Sequence, residues 1–253
     1  MKYAVIKIGG SILNNLSQTI IEDILTLKKE NYVPIIVHGG GPFINKQLSK
    51  MGVESKFVDG LRVTDDEVLL QTSNTLIGEV NPQVVYQINQ HAPIAIGVNG
   101  IDMNLFDVEP LHSKYGYVAE CSSVNKDAIE QICLNSIPVV APIGIDRNSG
   151  QRYNINADSL AYKIASEMKG DLFLISDIPG VLIKDEVKSN LSINDINNYI
   201  ETTEIYGGMI PKVTGAITAI EDGCKSVKII PGASEHALLK SSTSNEVGTT
   251  ITV

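Results

Sequence analysis

What limits the fold most is an alternation of two kinds of segment. Within the first fifty residues, "YAVIKI" (3–8) and "VPIIVH" (33–38) are short β-branched runs, while "SQTIIEDILTLKKEN" (17–31) and "PFINKQLSKM" (42–51) carry apolar residues at helical spacing. Ser17 suits a helix N-cap. Pro42 suits the first position of a helix, where a missing N–H costs nothing. The pattern returns as strands at 92–98, 137–144, 171–176 and 226–231, helices at 125–135, 157–168 and 210–223, and a closing strand at 244–253. Apolar strands separated by amphipathic helices predict an α/β fold with a mostly parallel sheet covered on both faces. The mixed stretch 101–123 reads as hairpins at an edge, and a soft boundary between two lobes falls near Gly170.

Composition removes several classes of function. The 253 residues, 43% of them hydrophobic, suffice for one large domain or two lobes. A formal net charge of −9 argues against nucleic acid as the main partner, though a few cations in a cleft can still bind a small anion. Cys121, Cys133 and Cys224 form no CxxC pair, and none of the four histidines has HExxH spacing, so neither a zinc site nor a disulfide framework is indicated. No apolar run approaches the roughly 20 residues of a membrane span. "MKYAVIKIGG" reads as a first strand rather than a signal peptide, and a cytoplasmic protein is expected.

Glycines mark the candidate site. In parallel α/β sheets ligands sit at the carboxyl ends of strands, beside helix N-termini that favour anions. Gly9-Gly10, Gly39-Gly40-Gly41 and Gly207-Gly208 fall at such places. They suit a cradle for phosphate or carboxylate; tight strand-to-helix turns are the simpler alternative. No GxxxxGK[ST] and no GxGxxG after a strand is present, so neither a P-loop nor a dinucleotide site is indicated.

Lys7 interrupts an apolar strand, which is costly unless the lysine is paired or faces solvent at an edge. Lys212 enters a helix against the macrodipole, where it either calls for a partner anion or is a plain surface lysine at a helix start. Asn154, Asn156 and Asp158 precede a helix, where capping is the plainer role, and Arg62 offers a fork for a carboxylate or a surface charge. Backbone turns, three cations, two amides and a carboxylate, with no nucleophile triad, are what phosphoryl transfer uses, with Mg2+ arriving on ATP.

The motifs "KIGGS" (7–11), "VHGGGP" (37–42), "DGLRVTD" (59–65), "NINADSLAYKIA" (154–165), "SDIPGV" (176–181) and "GGMIPKVTGA" (207–216) resemble, in order, those of the amino acid kinase family. The resemblance implies a three-layer α/β/α sandwich of the carbamate kinase-like type. It also implies a lobe at 1–170 for an acylated amino acid and the dimer interface, and a lobe at 171–253 for ATP. The branch it looks most like phosphorylates the γ-carboxylate of N-acetyl-L-glutamate, the second step of arginine synthesis. By that similarity, Lys7 and Lys212 stabilise the moving phosphoryl group and Asp158 holds both lysines. Gly40, Gly41, Arg62, Asn154 and Asn156 bind the acceptor. Gly9, Gly10, Gly39, Asp177, Gly180, Val181, Tyr206 and Gly208 line the phosphate and nucleotide site. Gly40→Val is then expected to abolish turnover in a folded protein.

Two stretches depart from the family pattern, "GEVNPQVVYQI" (78–88) and "GVNGIDMNLFDVEP" (97–110). They leave a kinase for a related acid, carrier-linked or acetylated aminoadipate or glutamate, as the nearest alternative, and a non-catalytic sensor as a more distant one. Arginine-inhibited members carry a helix ahead of the first strand. Here Lys7 stands close to the start, so an arginine-insensitive homodimer is expected.

Overall fold

The computed structural model describes residues 2–13, 16–244 and 247–253, which form two compact units: residues 2–34 with 164–253, and residues 35–163. This division differs from one at Gly170. The first strand, Lys2–Ile8, pairs in parallel with Asp171–Ser176, with Lys7 opposite Leu174, and so groups with the C-terminal part of the chain. Helix Ala157–Glu167 runs through the boundary.

In the first unit the strand order is Asn190–Ser192, Thr249–Thr252, Ser226–Pro231, Asp171–Ser176, Lys2–Ile8. Neighbours are parallel except for Ser226–Pro231 with Thr249–Thr252. Asp171–Ser176 is buried along its whole length, as a strand covered on both faces must be. Helix Gln18–Lys29 starts at the expected cap, where Ser17 accepts from the Thr19 N–H. The expected strand at 244–253 is shorter, Thr249–Thr252; Thr243 ends a helix, and residues 245 and 246 lie outside the described residues.

In the second unit, residues 35–38 at the end of strand Tyr32–His38 run parallel to Ile137–Ala141, which runs parallel to Ala95–Asn99. The expected strand at 137–144 breaks at Pro142, which cannot donate to a ladder. Ile143–Ile145 continues instead into a small closed barrel with Phe106–Pro110, Val118–Val124 and Arg152–Ile155. The hairpin expected within 101–123 is the antiparallel pair Phe106–Pro110 and Val118–Val124. The strand expected from 92 begins at Ala95, where the Asn89 side chain accepts from its N–H and donates to its carbonyl.

Helix Gly41–Lys50 begins one residue before Pro42. Helix Asp66–Thr75 passes through a π turn, Leu76–Val80, into helix Asn81–Asn89. Ile44, Leu48, Val68, Leu76, Ala141 and Ile143 form a core beneath these helices. Among the described residues no helix is long and apolar enough to cross a membrane.

Candidate functional site

In the first unit, Gly9 and Asp177, two of the residues expected to line the phosphate and nucleotide site, lie at the carboxyl edge of three parallel strands. The Gly9 N–H donates to the Ile175 carbonyl at 3.2 Å, and the Gly232 N–H donates to the Ser176 carbonyl at 2.7 Å. Asp177 follows, exposed, its carboxylate accepting from the Ser176 hydroxyl. A Cβ at Gly9 would lie 3.3 Å from the Ile175 carbonyl and 3.8 Å from Lys7 Nζ, so this turn is close to both backbone and lysine. Lys7 is only 9% exposed and not at a solvent edge. Burial of an ammonium demands compensation by nearby acceptors or anions.

Lys212 is half-buried in the first turn of helix Met209–Glu221, which starts behind Gly207 and Gly208. A Cβ at either glycine would meet nothing within 4 Å; only Gly207, at φ +59°, has a conformational need for glycine. Gly180 differs. At φ +148°, its Cβ would stand 2.7 Å from Thr249 Oγ1, so internal crowding accounts for it. The Val181 N–H donates to that same hydroxyl, and its carbonyl accepts from the Lys188 N–H. Both of its backbone groups are thus used within the protein. Tyr206 is largely exposed.

In the second unit, "HGGG" at 38–41 is built around a buried imidazole. His38 is fully buried, and burial lowers its pKa to about 4. Its Nδ1–H donates to the Gly39 carbonyl and its Nε2 accepts from Asn81 Nδ2, a neutral tautomer fixed on both sides. The two following glycines serve different ends. A Cβ at Gly40 would stand 2.4 Å from Leu76 Cδ2, within the core, whereas one at Gly41 would meet nothing within 4 Å. Side-chain packing therefore requires Gly40, and the protein itself places no demand on Gly41.

Arg62 lies beside this turn, 7% exposed, on the hairpin Phe57–Val58 and Leu61–Arg62. Its guanidinium donates to Asn45 Oδ1 at 2.7 Å, Ser55 Oγ at 2.6 Å and the Gly41 carbonyl at 3.5 Å, and stacks on Phe57 at 4.8 Å. All these acceptors are neutral, and burial pulls the arginine's pKa down. A buried cation with polar contacts but no counter-charge among the described residues is prepared for an anionic ligand.

Asn154 is tied to the same hairpin: its Nδ2 donates to Thr64 Oγ1, which donates to the Arg62 carbonyl. Asn156 acts as a helix cap, its Oδ1 accepting from the N–H groups of Asp158 and Ser159. Asp158 thus sits in the first turn of its helix, where the dipole favours a carboxylate; burial of the Tyr162 phenol, and after it the nearby Asp158 carboxylate, raises the Tyr162 pKa. The two departing stretches meet in one cavity of about 410 Å3. Asn81, Pro82 and Val85 come from the first, and Gly97, Val98, Asn99 and Asp102 from the second.

Asn45, Ser55, Thr64 and His38 carry much of this geometry without standing out in the sequence. The one signal available was Asn45, four residues after Gly41 on the same helical face.

A two-unit α/β chain with glycine turns at strand ends, a buried lysine beside one and a buried arginine beside another, has the makings of a phosphotransferase. The chain belongs to the amino acid kinase family, whose model matches residues 2–231. It is 53% identical over 99% of both chains to the acetylglutamate kinase of Staphylococcus saprophyticus. A solved structure from Streptococcus mutans, smu.665, superposes with TM-score 0.86 at 30% identity, covering 99% of this chain and 98% of that one. Carbamate kinase from Giardia lamblia bound to AMP-PNP shares the fold at TM-score 0.71 and 15% identity, over 99% and 98% of the two chains. The fold is the three-layer α/β/α, carbamate kinase-like arrangement expected from the sequence motifs.

Proposed function

We propose that the protein transfers the γ-phosphoryl group of ATP to the γ-carboxylate of N-acetyl-L-glutamate, forming N-acetyl-L-glutamyl 5-phosphate for arginine synthesis. The observation that carries this reading is Arg62, a buried guanidinium held by neutral acceptors beside the open face of Gly41. An α-carboxylate would supply the missing charge and bind the fork in bidentate fashion. The likeness to acetylglutamate kinases supports the choice of acyl amino acid.

In this reading Gly40, Gly41, Asn154 and Asn156 shape the acceptor pocket. Asn156 contributes by setting the helix that bears Asp158. Lys7 and Lys212 supply positive charge to the phosphoryl group in transit, and Asp158 supplies the balancing carboxylate. Gly9, Gly10 and Gly39 offer backbone N–H groups to the phosphates. Asp177, Gly180, Val181, Tyr206 and Gly208 border the nucleotide. Mg2+ is assigned to the nucleotide it arrives on.

The enzyme is placed in the cytoplasm, where its ATP is made, as a homodimer. Tyr86, Ile96 and Met103, exposed at 64%, 45% and 52%, support association through the second unit. A monomer mass by light scattering at micromolar concentration would refute the dimer.

The reaction is tested by incubating the protein with MgATP, N-acetyl-L-glutamate and hydroxylamine, which traps an acyl phosphate as a coloured hydroxamate. Colour with N-acetyl-L-glutamate, and none with glutamate, aspartate or N-acetylaminoadipate, is expected. Colour in another tube alone would move the substrate, and colour in none would overturn the activity.

A further inference from the structure

The second unit holds a groove of about 430 Å3, lined by Ser73, Asn74, Ile77, Gly78 and Arg152, that no role above uses. The sequence has only three arginines, and their surroundings differ. Arg62 is enclosed by Asn45, Ser55 and the Gly41 carbonyl. Arg147 pairs with Asp107 and donates to the Asn104 carbonyl. Arg152 is exposed, and among the described residues no carboxylate pairs with it.

Facing the same groove is a second unmet group. Ser73 is 2% exposed, and its hydroxyl has no hydrogen-bond partner among the described residues. A hydroxyl in a helix ordinarily bonds the carbonyl one turn back, as those of Thr26, Thr214 and Thr218 do here. Leaving one unbonded and buried is costly, and such groups are rare in folded proteins. The exposed amide of Asn74 adjoins it. The one carboxylate of the adjacent π turn, Glu79, accepts from Gln47 instead. π turns themselves concentrate at functional positions.

We infer that this groove binds a small oxyanion, a carboxylate or a phosphate. The Arg152 guanidinium supplies charge and a planar fork, and the Ser73 hydroxyl and Asn74 amide donate to the same oxygens. One acceptor thereby satisfies a cation without a partner and a hydroxyl without a partner. The site does not depend on the phosphotransfer proposed above.

With three arginines, the Nε–Hε NMR signals of the full chain can be assigned by R152K and R147K. Sodium phosphate and sodium acetate are titrated separately at constant ionic strength. The Arg152 signal is expected to shift saturably with a millimolar midpoint while Arg147 stays still, and the midpoint should rise at least fivefold in S73A. Saturation by phosphate alone, or by acetate alone, assigns the oxyanion; saturation by both leaves the shared chemistry. A linear drift of all three signals, or an unchanged midpoint in S73A, overturns the proposal. Should S73A not fold, N74D places a negative charge at the rim and must abolish saturation; persistence would overturn the site equally.

Discussion

The His38–Gly41 turn and the Phe57–Arg62 hairpin reach the same guanidinium, yet they are held by unlike forces. The turn is interior: a fully buried imidazole bonded on both nitrogens, and a glycine with no room for a Cβ. The hairpin is exterior. Its tip, Asp59-Gly60, has positive φ at both residues, and Asp59 accepts from Lys114 Nζ and Tyr115 Oη, each at 2.8 Å in open solvent. The interior turn fixes position through volume and protonation state, which tolerate little change. The hairpin rests on exposed polar contacts, which water and salt can replace.

The largest break in this contrast is Gly40→Val. Its Cβ would enter the space of the Leu76 terminal methyl in the core, so the variant should lose as much as about 3 kcal/mol of stability, read by urea unfolding. The expectation of an inactive but well-folded variant is tested by the same measurement: unfolding at the parent's urea midpoint would uphold it.

His38 comes next. Its folded pKa of about 4 lies below the ordinary 6.5, so the folded protein keeps it neutral while the unfolded chain protonates. Stability from this group is complete above pH 6.5 and falls by about 3 kcal/mol as pH drops to 4. His38→Gln should flatten that part of the profile, and an equally steep profile in the variant would show another group responsible.

Gly41→Ala separates function from fold. With nothing within 4 Å of the new methyl, stability should stay within about 0.5 kcal/mol, while the KM for N-acetyl-L-glutamate rises roughly tenfold or more. An unchanged KM would mean that no ligand approaches that face.

Asp59→Asn should do least. It removes a charge from an exposed tie, so KM is expected to rise less than about twofold, and only at low salt. A tenfold loss would mean that the hairpin depends on its tip as the turn depends on its interior.

Much of the fold was legible where local chemistry and long-range packing agree. The strands at 171–176 and 226–231 fall where the apolar runs place them: Leu172–Ile175 is a continuous buried apolar run, and in Ser226–Pro231 only Lys228 interrupts the buried Val227, Ile229 and Ile230. The helices from Asp66 to Asn89 resist such a reading. Pro82 sits where a helix interior should run, and the apolar period slips at Leu76–Val80. In the site, the glycine turns, Lys7 and Arg62 stand out because each is costly without a reason. The neutral shell around Arg62 does not, since Asn45 and Ser55 are ordinary residues until folding brings them to the guanidinium. Nor could sequence tell Gly40 from Gly41, whose difference is set by Leu76, more than thirty positions away.

Pro82 and the π turn belong together. In a regular α-helix the proline ring would strike the carbonyl of residue 78, four positions back. The widened turn, closed by the Asn81 N–H on the Leu76 carbonyl, takes up one additional residue. One residue of helix is roughly 100° of rotation. The proline therefore acts as a phase shifter: everything after it is dialled round by that angle. The Asn81 side chain comes to lie across Gly97, whose added Cβ would be 1.9 Å from its Oδ1, and its amide reaches His38 and Val139. The neutral imidazole under the glycine turn thus owes the placement of its partner to a ring on the neighbouring residue.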